Sequence, residues 1–167
     1  MRKYLAVLLI VFGLVLASSA VNAFDYKDWM PLLPDSIAEM EKQGDPDGMN
    51  MEKGGQSWST ISQKYSDGQE NNAQLTIVTG SDAPGMKKFN TLHRFSGETG
   101  KRKVKTLDIS GHKAVLNLDK KGGSNSLLIQ AQENTMVIIN TSSFDSENGL
   151  VSLAEDIPLA EIADAVK

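Results

Sequence analysis

Between Lys103 and Thr141 the chain carries four apolar runs separated by three tight turn signals, and this stretch constrains the fold more than any other. Each run is rich in Val, Ile, Leu and Thr, and each break holds Gly, Asn or Ser-Gly. Runs of that length and composition, so punctuated, predict an antiparallel meander. Its second strand puts Ala114, Leu116 and Leu118 on one face, and its third puts Leu127, Ile129 and Ala131 on one face. The fourth, Thr135 to Thr141, is apolar on both faces, which places it centrally in a sheet with helices over it.

Upstream, Met49 to Lys53 and Gln56 to Ser66 predict a hairpin closed by Gly54-Gly55, after a turn at Asp45-Pro46-Asp47-Gly48. Asn71 to Gly80 predicts a further strand, with Ala73, Leu75 and Ile77 on one face. Ser36 and Glu39 have capping-box spacing, and Gly44 stands where a helix would stop, so a short helix with Ile37 and Met40 inward is expected there. Phe24 to Leu33 reads as an irregular segment anchored by Trp29. A helix capped by Ser81 or Asp82, with Pro84 in its first turn, is expected from the spacing of Met86, Phe89 and Leu92, with a loop over Glu98 to Lys101 behind it. The tail is helical, with a stripe at Leu150, Leu153 and Ala154 and a second at Leu159, Ile162, Ala163 and Val166. The expected fold class is therefore α+β: an antiparallel sheet of about six to seven strands covered by helices, the C-terminal one included.

Met1-Arg2-Lys3, an apolar run from Tyr4 to Ala17, and the small residues Val21 and Ala23 form the pattern of a secretory signal peptide. The run is shorter than the roughly 18 residues of a membrane span. Residues 1–23 are thus expected to be removed, leaving 24–167 as a single α+β domain, exported to the periplasm or secreted, with no transmembrane segment. The chain has no cysteine, so its stability must come from packing.

Charge is distributed in blocks. Phe24 to Met86 holds 4 lysines against 11 acids, Lys87 to Lys121 holds 10 basic residues against 3 acids, and the remainder holds 1 lysine against 7 acids. The basic middle, through Lys101, Arg102, Lys103, Lys105, Lys113, Lys120 and Lys121, is a candidate docking face for a protein partner or an anionic surface. Lysines that guard exposed strand edges against pairing give the same pattern. Aromatic residues are sparse there and the chain is acidic overall, which argues against nucleic acid.

Chemistry-bearing motifs are few. Met49 and Met51 share a strand face by period 2, and two thioethers with His93, His112 or Met86 would suit Cu(I), although Met pairs also fill cores. Asp108, Ser110, His112 and Lys113 alternate like a hydrolase set, but on a strand-to-strand turn rather than at the helix start that such a motif requires. Lys120 to Asn125 joins two strands, so no helix N-terminus stands behind it to receive a phosphate. No catalytic residue, metal site or cofactor is assigned on these grounds.

The element order, together with Ile109-Ser110-Gly111-His112-Lys113-Ala114, the segment MVIINTS and the tail LVSLAEDIPLAEIA, resembles exported bacterial domains of unknown function built on a plan similar to the PsbP-like α/β/α sandwich. The resemblance spans roughly residues 56–165 and implies a non-catalytic binding or assembly subunit. The expected function is a periplasmic binding or protein-interaction module. The alternatives are a carrier of lipid or another apolar ligand, as in LolA-type half-barrels, and a Cu(I) protein through Met49 and Met51. Intact-mass measurement of the exported protein is expected to give a chain beginning at Phe24; retention of residues 1–23 would refute the signal reading.

Overall fold

The computed structural model describes residues 24–80, 83 and 85–166. The signal peptide read over residues 1–23, the helix cap at Ser81 or Asp82 and the proline at 84 lie outside the described residues. Nine strands form one sheet: β1 (Ser36–Ile37), β2 (Met40–Lys53), β3 (Gln56–Ser66), β4 (Asn72–Thr79), β5 (Gly97–Glu98), β6 (Arg102–Ile109), β7 (His112–Asp119), β8 (Asn125–Gln132) and β9 (Thr135–Thr141). Helices α1 (Met86–Leu92), α2 (Glu147–Glu155) and α3 (Leu159–Ala165) and a 3₁₀ helix, Tyr26–Leu32, pack on it.

The strand order is β1-β2-β3-β4-β9-β8-β7-β6-β5, antiparallel throughout. The chain meanders from one edge to the centre, crosses one face as α1, and meanders back from the opposite edge. Strands β4 and β9 close the two halves against each other, with Leu75 opposite Ile139 and Ile77 opposite Val137.

Each face of the sheet carries its own core. On the first, Trp29, Ile61, Leu75, Leu116, Leu127, Ile129 and Ile139 pack under α2 and α3 through Leu150, Leu153, Leu159 and Ile162. On the second, Val78, Val115, Leu128 and Met136 pack under Met86 and Phe89 of α1. Leu127, Leu128 and Ile129 are all fully buried because β8 is covered on both sides, and β9 lies at the centre of the order. Gly85 lets α1 settle: its φ is +98°, and a Cβ there would meet the Ile138 Cδ1 at 2.6 Å.

Four expectations are corrected. The sheet has nine strands rather than six or seven, because the two-residue strands β1 and β5 extend its edges, β5 beginning at Gly97 and entering the expected loop at Glu98. Ser36 to Gly44 is not a helix. Ile37 pairs with Met40 across a two-residue turn in which Ala38 and Glu39 have φ of 45° and 65°. A two-residue hairpin loop brings i and i+3 to one side as a helix does, so buried Ile37 and Met40 satisfy either pattern. The Ala38 N–H donates to Asp156 Oδ2 at 2.8 Å, a contact across 118 residues that holds the turn. The third correction concerns Asp45-Pro46-Asp47-Gly48, which lies inside β2 at a register shift between Gln43 and Asp47 instead of forming a turn ahead of the strand. Buried Gln63 donates through Nε2 to the carbonyls of Gln43 and Gly44 at 3.2 and 3.3 Å and so satisfies the bulge.

The segment expected to be irregular forms the 3₁₀ helix, capped by Asp25, whose Oδ1 accepts from Lys27 N–H at 3.1 Å. Trp29 within it is fully buried. Leu127 and Ile139, register partners with no exposure, are the place to test the packing. Leu127→Ala and Ile139→Ala are each expected to cost about 2–5 kcal/mol in urea unfolding, and the double variant less than the sum because the side chains share neighbours.

Candidate functional site

Helix α1 is short, and it covers only part of the second face. One register row away from its apolar contacts the sheet changes character. Lys64 pairs with Gln74 across β3–β4, Gln74 with Asn140 across β4–β9, Asn140 with Ser126 across β9–β8, and Ser126 with Asn117 across β8–β7. All five share the face of Val78, Met136, Leu128 and Val115, since side chains two apart on a strand point the same way. A row of amides, a hydroxyl and an ammonium thus crosses five adjacent strands, about 19 Å at the usual strand spacing.

At the β3 end, Lys64 is exposed and Gln74 and Asn140 are half-buried. A cleft of about 390 Å³ opens there, lined by Gln43, Lys64, Gln74, Ser124, Asn140 and Ser142 among others. At the β7 end, Asn117 and Ser126 are buried, at 7% and 2% exposure. Burying them costs free energy unless their polar atoms are paired. Ser126 Oγ accepts from Asn117 Nδ2 at 3.4 Å and from Lys88 Nζ of α1 at 3.3 Å. Lys88 is thereby drawn down beside the row. Partial burial and, secondarily, the like charge of Arg102 hold its ammonium below the usual lysine pKa. Among the described residues no carboxylate forms an ion pair with Lys88.

Most of these residues were not singled out by sequence reading. Their signal is local and faint: Asn117 interrupts the apolar run of β7, Ser126 precedes one in β8, and Asn140 ends one in β9. Only the register aligns them.

The residues that the sequence did single out are distributed elsewhere. Lys103 and Lys105 lie on the first face with Leu107, and both reach Glu147 at the start of α2, at 3.2 and 2.6 Å. Arg102 points to the second face, towards Lys88. Lys120 is paired with Glu98, while Lys113 stands opposite Asp108 at the β6–β7 turn. Lys101 and Lys121 are exposed in turns. Strand alternation and pairing therefore divide the seven basic residues between two faces and the sheet ends.

Met49 and Met51 share one face of β2 and are 45% and 39% exposed, with Met51 opposite Trp58. His112 is on β7, five strands away in the order, or about 24 Å. His93 stacks on Phe89 at the end of α1, with ring centroids 5.4 Å apart. Strand order thus separates His112 from the thioethers. Asp108 Oδ1 accepts from Gly111 N–H at 2.9 Å and so shapes the turn, and Ser110 has a φ of 52°. The alternating set of Asp108, Ser110, His112 and Lys113 is turn architecture. No helix among the described residues is long and apolar enough to cross a membrane.

Compared with known protein families, with characterised proteins and with solved structures, the chain finds no match.

The ion pairs carry a pH signature. Hydrogen bonds from Lys105 and then Lys103 hold the Glu147 carboxyl below its ordinary 4.5. Its stabilisation is therefore present above that value and is lost as the pH falls through the lower folded one. Glu147→Gln is expected to be less stable than the parent at pH 7 and equal to it near pH 2, as read from urea midpoints; an equal deficit at both would show a packing effect instead.

Proposed function

We propose that the protein is an exported, non-catalytic binding module that holds a polar ligand against the part of its sheet that α1 leaves open. The observation that carries this reading is the row from Lys64 to Asn117. A sheet face meant only for solvent is usually dressed in long charged side chains, and one meant for the core in apolar ones. Here amides and a hydroxyl are held at or below the surface, and a cleft opens at the Lys64, Gln74 and Asn140 end of the row. Side-chain amides offer two donors and an acceptor in fixed directions, which suits a ligand rich in hydroxyl or amide groups.

Export rests on the sequence pattern of residues 1–23. The non-catalytic reading is supported by the engagement of Asp108 in its turn. A carrier of apolar ligands needs an open apolar concavity, whereas the apolar stripes of the sheet are packed under α1, α2 and α3. Titration of the ¹⁵N-labelled mature domain with cellotetraose and with tetragalacturonate tests the reading. Shifts are expected with at least one of them at residues 72–74, 124–126 and 140–142, and are expected to vanish in a Gln74→Ala/Asn140→Ala variant. Shifts confined to other surfaces, or none with either probe, would refute it.

A further inference from the structure

The row ends in a cation that has no counter-ion among the described residues. Every other lysine given an ion pair on this sheet meets a carboxylate: Lys42 meets Asp35, Lys103 and Lys105 meet Glu147, and Lys120 meets Glu98. Lys88 instead leans over the sheet to a serine that is itself buried. One of its three N–H donors is used on Ser126, which fixes the ammonium beside the row and leaves two to face outward. Asn117 holds Ser126 in turn. Arg102, on the same face, adds a second positive charge. Asp119 stands opposite Arg102 in the register, but its Oδ1 accepts from the Lys121 N–H at 2.8 Å, and among the described residues neither Lys88 nor Arg102 forms an ion pair. Two like charges so placed become more favourable when an oxyanion sits between them.

Resting on the binding-module reading above, we propose that this corner is an oxyanion subsite, with Lys88 and Arg102 receiving a carboxylate of an acidic oligosaccharide whose sugar rings lie along Asn140, Gln74 and Lys64. The strands repeat at about 4.8 Å, close to the advance of one sugar residue in an extended chain, so successive rings meet successive strands. The amides and hydroxyls answer the sugar hydroxyls. Lys64, at the far end, offers a third positive charge to an acid group about three residues along. Ser126 and Asn117 act as positioning residues, since Ser126 accepts from the ammonium, Asn117 donates to Ser126, and both lie beneath the surface.

Isothermal titration of the mature domain with tetragalacturonate and with cellotetraose, a neutral chain of equal length, tests the assignment. The acidic chain is expected to bind about tenfold or more tightly than the neutral one, with affinity falling as sodium chloride is raised. Lys88→Gln is expected to remove about tenfold from the acidic ligand and to leave the neutral one within about twofold, and Lys88→Arg to restore most of the loss. Ser126→Ala is expected to weaken only the acidic chain, since it frees the ammonium without touching the sugar.

Equal affinity for both chains, or a Lys88→Gln variant that binds tetragalacturonate like the parent, would overturn the subsite and leave the cleft as a neutral binding site. Binding of inorganic sulfate at Lys88 as tightly as tetragalacturonate would overturn the saccharide and leave a free-anion site. Failure of both chains to move any signal of the row would overturn this inference and the reading beneath it together.

Discussion

The antiparallel pairing of β4 with β9 is the contact on which the rest of the structure depends. It joins residues 56 to 68 apart in sequence, Thr79 to Thr135 and Ala73 to Thr141, and it is the seam between two meanders that otherwise consist of neighbouring strands. Local hairpins close at small entropic cost, whereas this seam needs the α1 crossover and the whole of β5 to β8 in place. Apolar burial on both sides offsets that cost. Leu75, Ile77, Val137 and Ile139 face the α2–α3 layer, and Val78 and Met136 face α1.

The two faces are covered unequally, and the difference follows from helix length and placement. Two helices, the 3₁₀ segment and the large Trp29 side chain close the first face. A single helix of seven residues lies over the second, held close by Gly85. A sheet nine strands wide is far broader than one short helix, so part of that face must be polar or exposed. The composition of that part separates a solvated face from a built one. Ser126 and Asn117 are buried and bonded, and Lys88 is brought down to them, which costs desolvation that an ordinary surface would not incur.

Charge follows the same logic. The basic middle of the chain is conspicuous along the sequence, but a β-strand sends alternate residues to opposite sides, so Lys103 and Lys105 go to Glu147 while Arg102 goes to Lys88. Glu147 comes from the acidic segment after the basic block, and Glu98, the partner of Lys120, from within it. Part of the block charge in sequence is thereby neutralised in space, and the rest is divided between a corner at Lys88 and Arg102 and the turns at the sheet ends rather than gathered on one face.

The chain by itself determined the long strands β3, β4 and β6 to β9, the Gly54-Gly55 hairpin, the inward stripes of the C-terminal helices and the anchoring of Trp29, because these rest on periodicity and turn chemistry within short windows. Tertiary structure decided the rest. Ile37 and Met40 suit a helix or a tight hairpin equally, and the bond from Ala38 to Asp156 belongs to the far end of the chain. The edge strands β1 and β5 have two residues each, too few for any pattern to register. The polar row is the clearest case. Each of its members is an ordinary polar residue at one position of one strand, and they form a row only because strand order and register, set by long-range pairing, place them side by side.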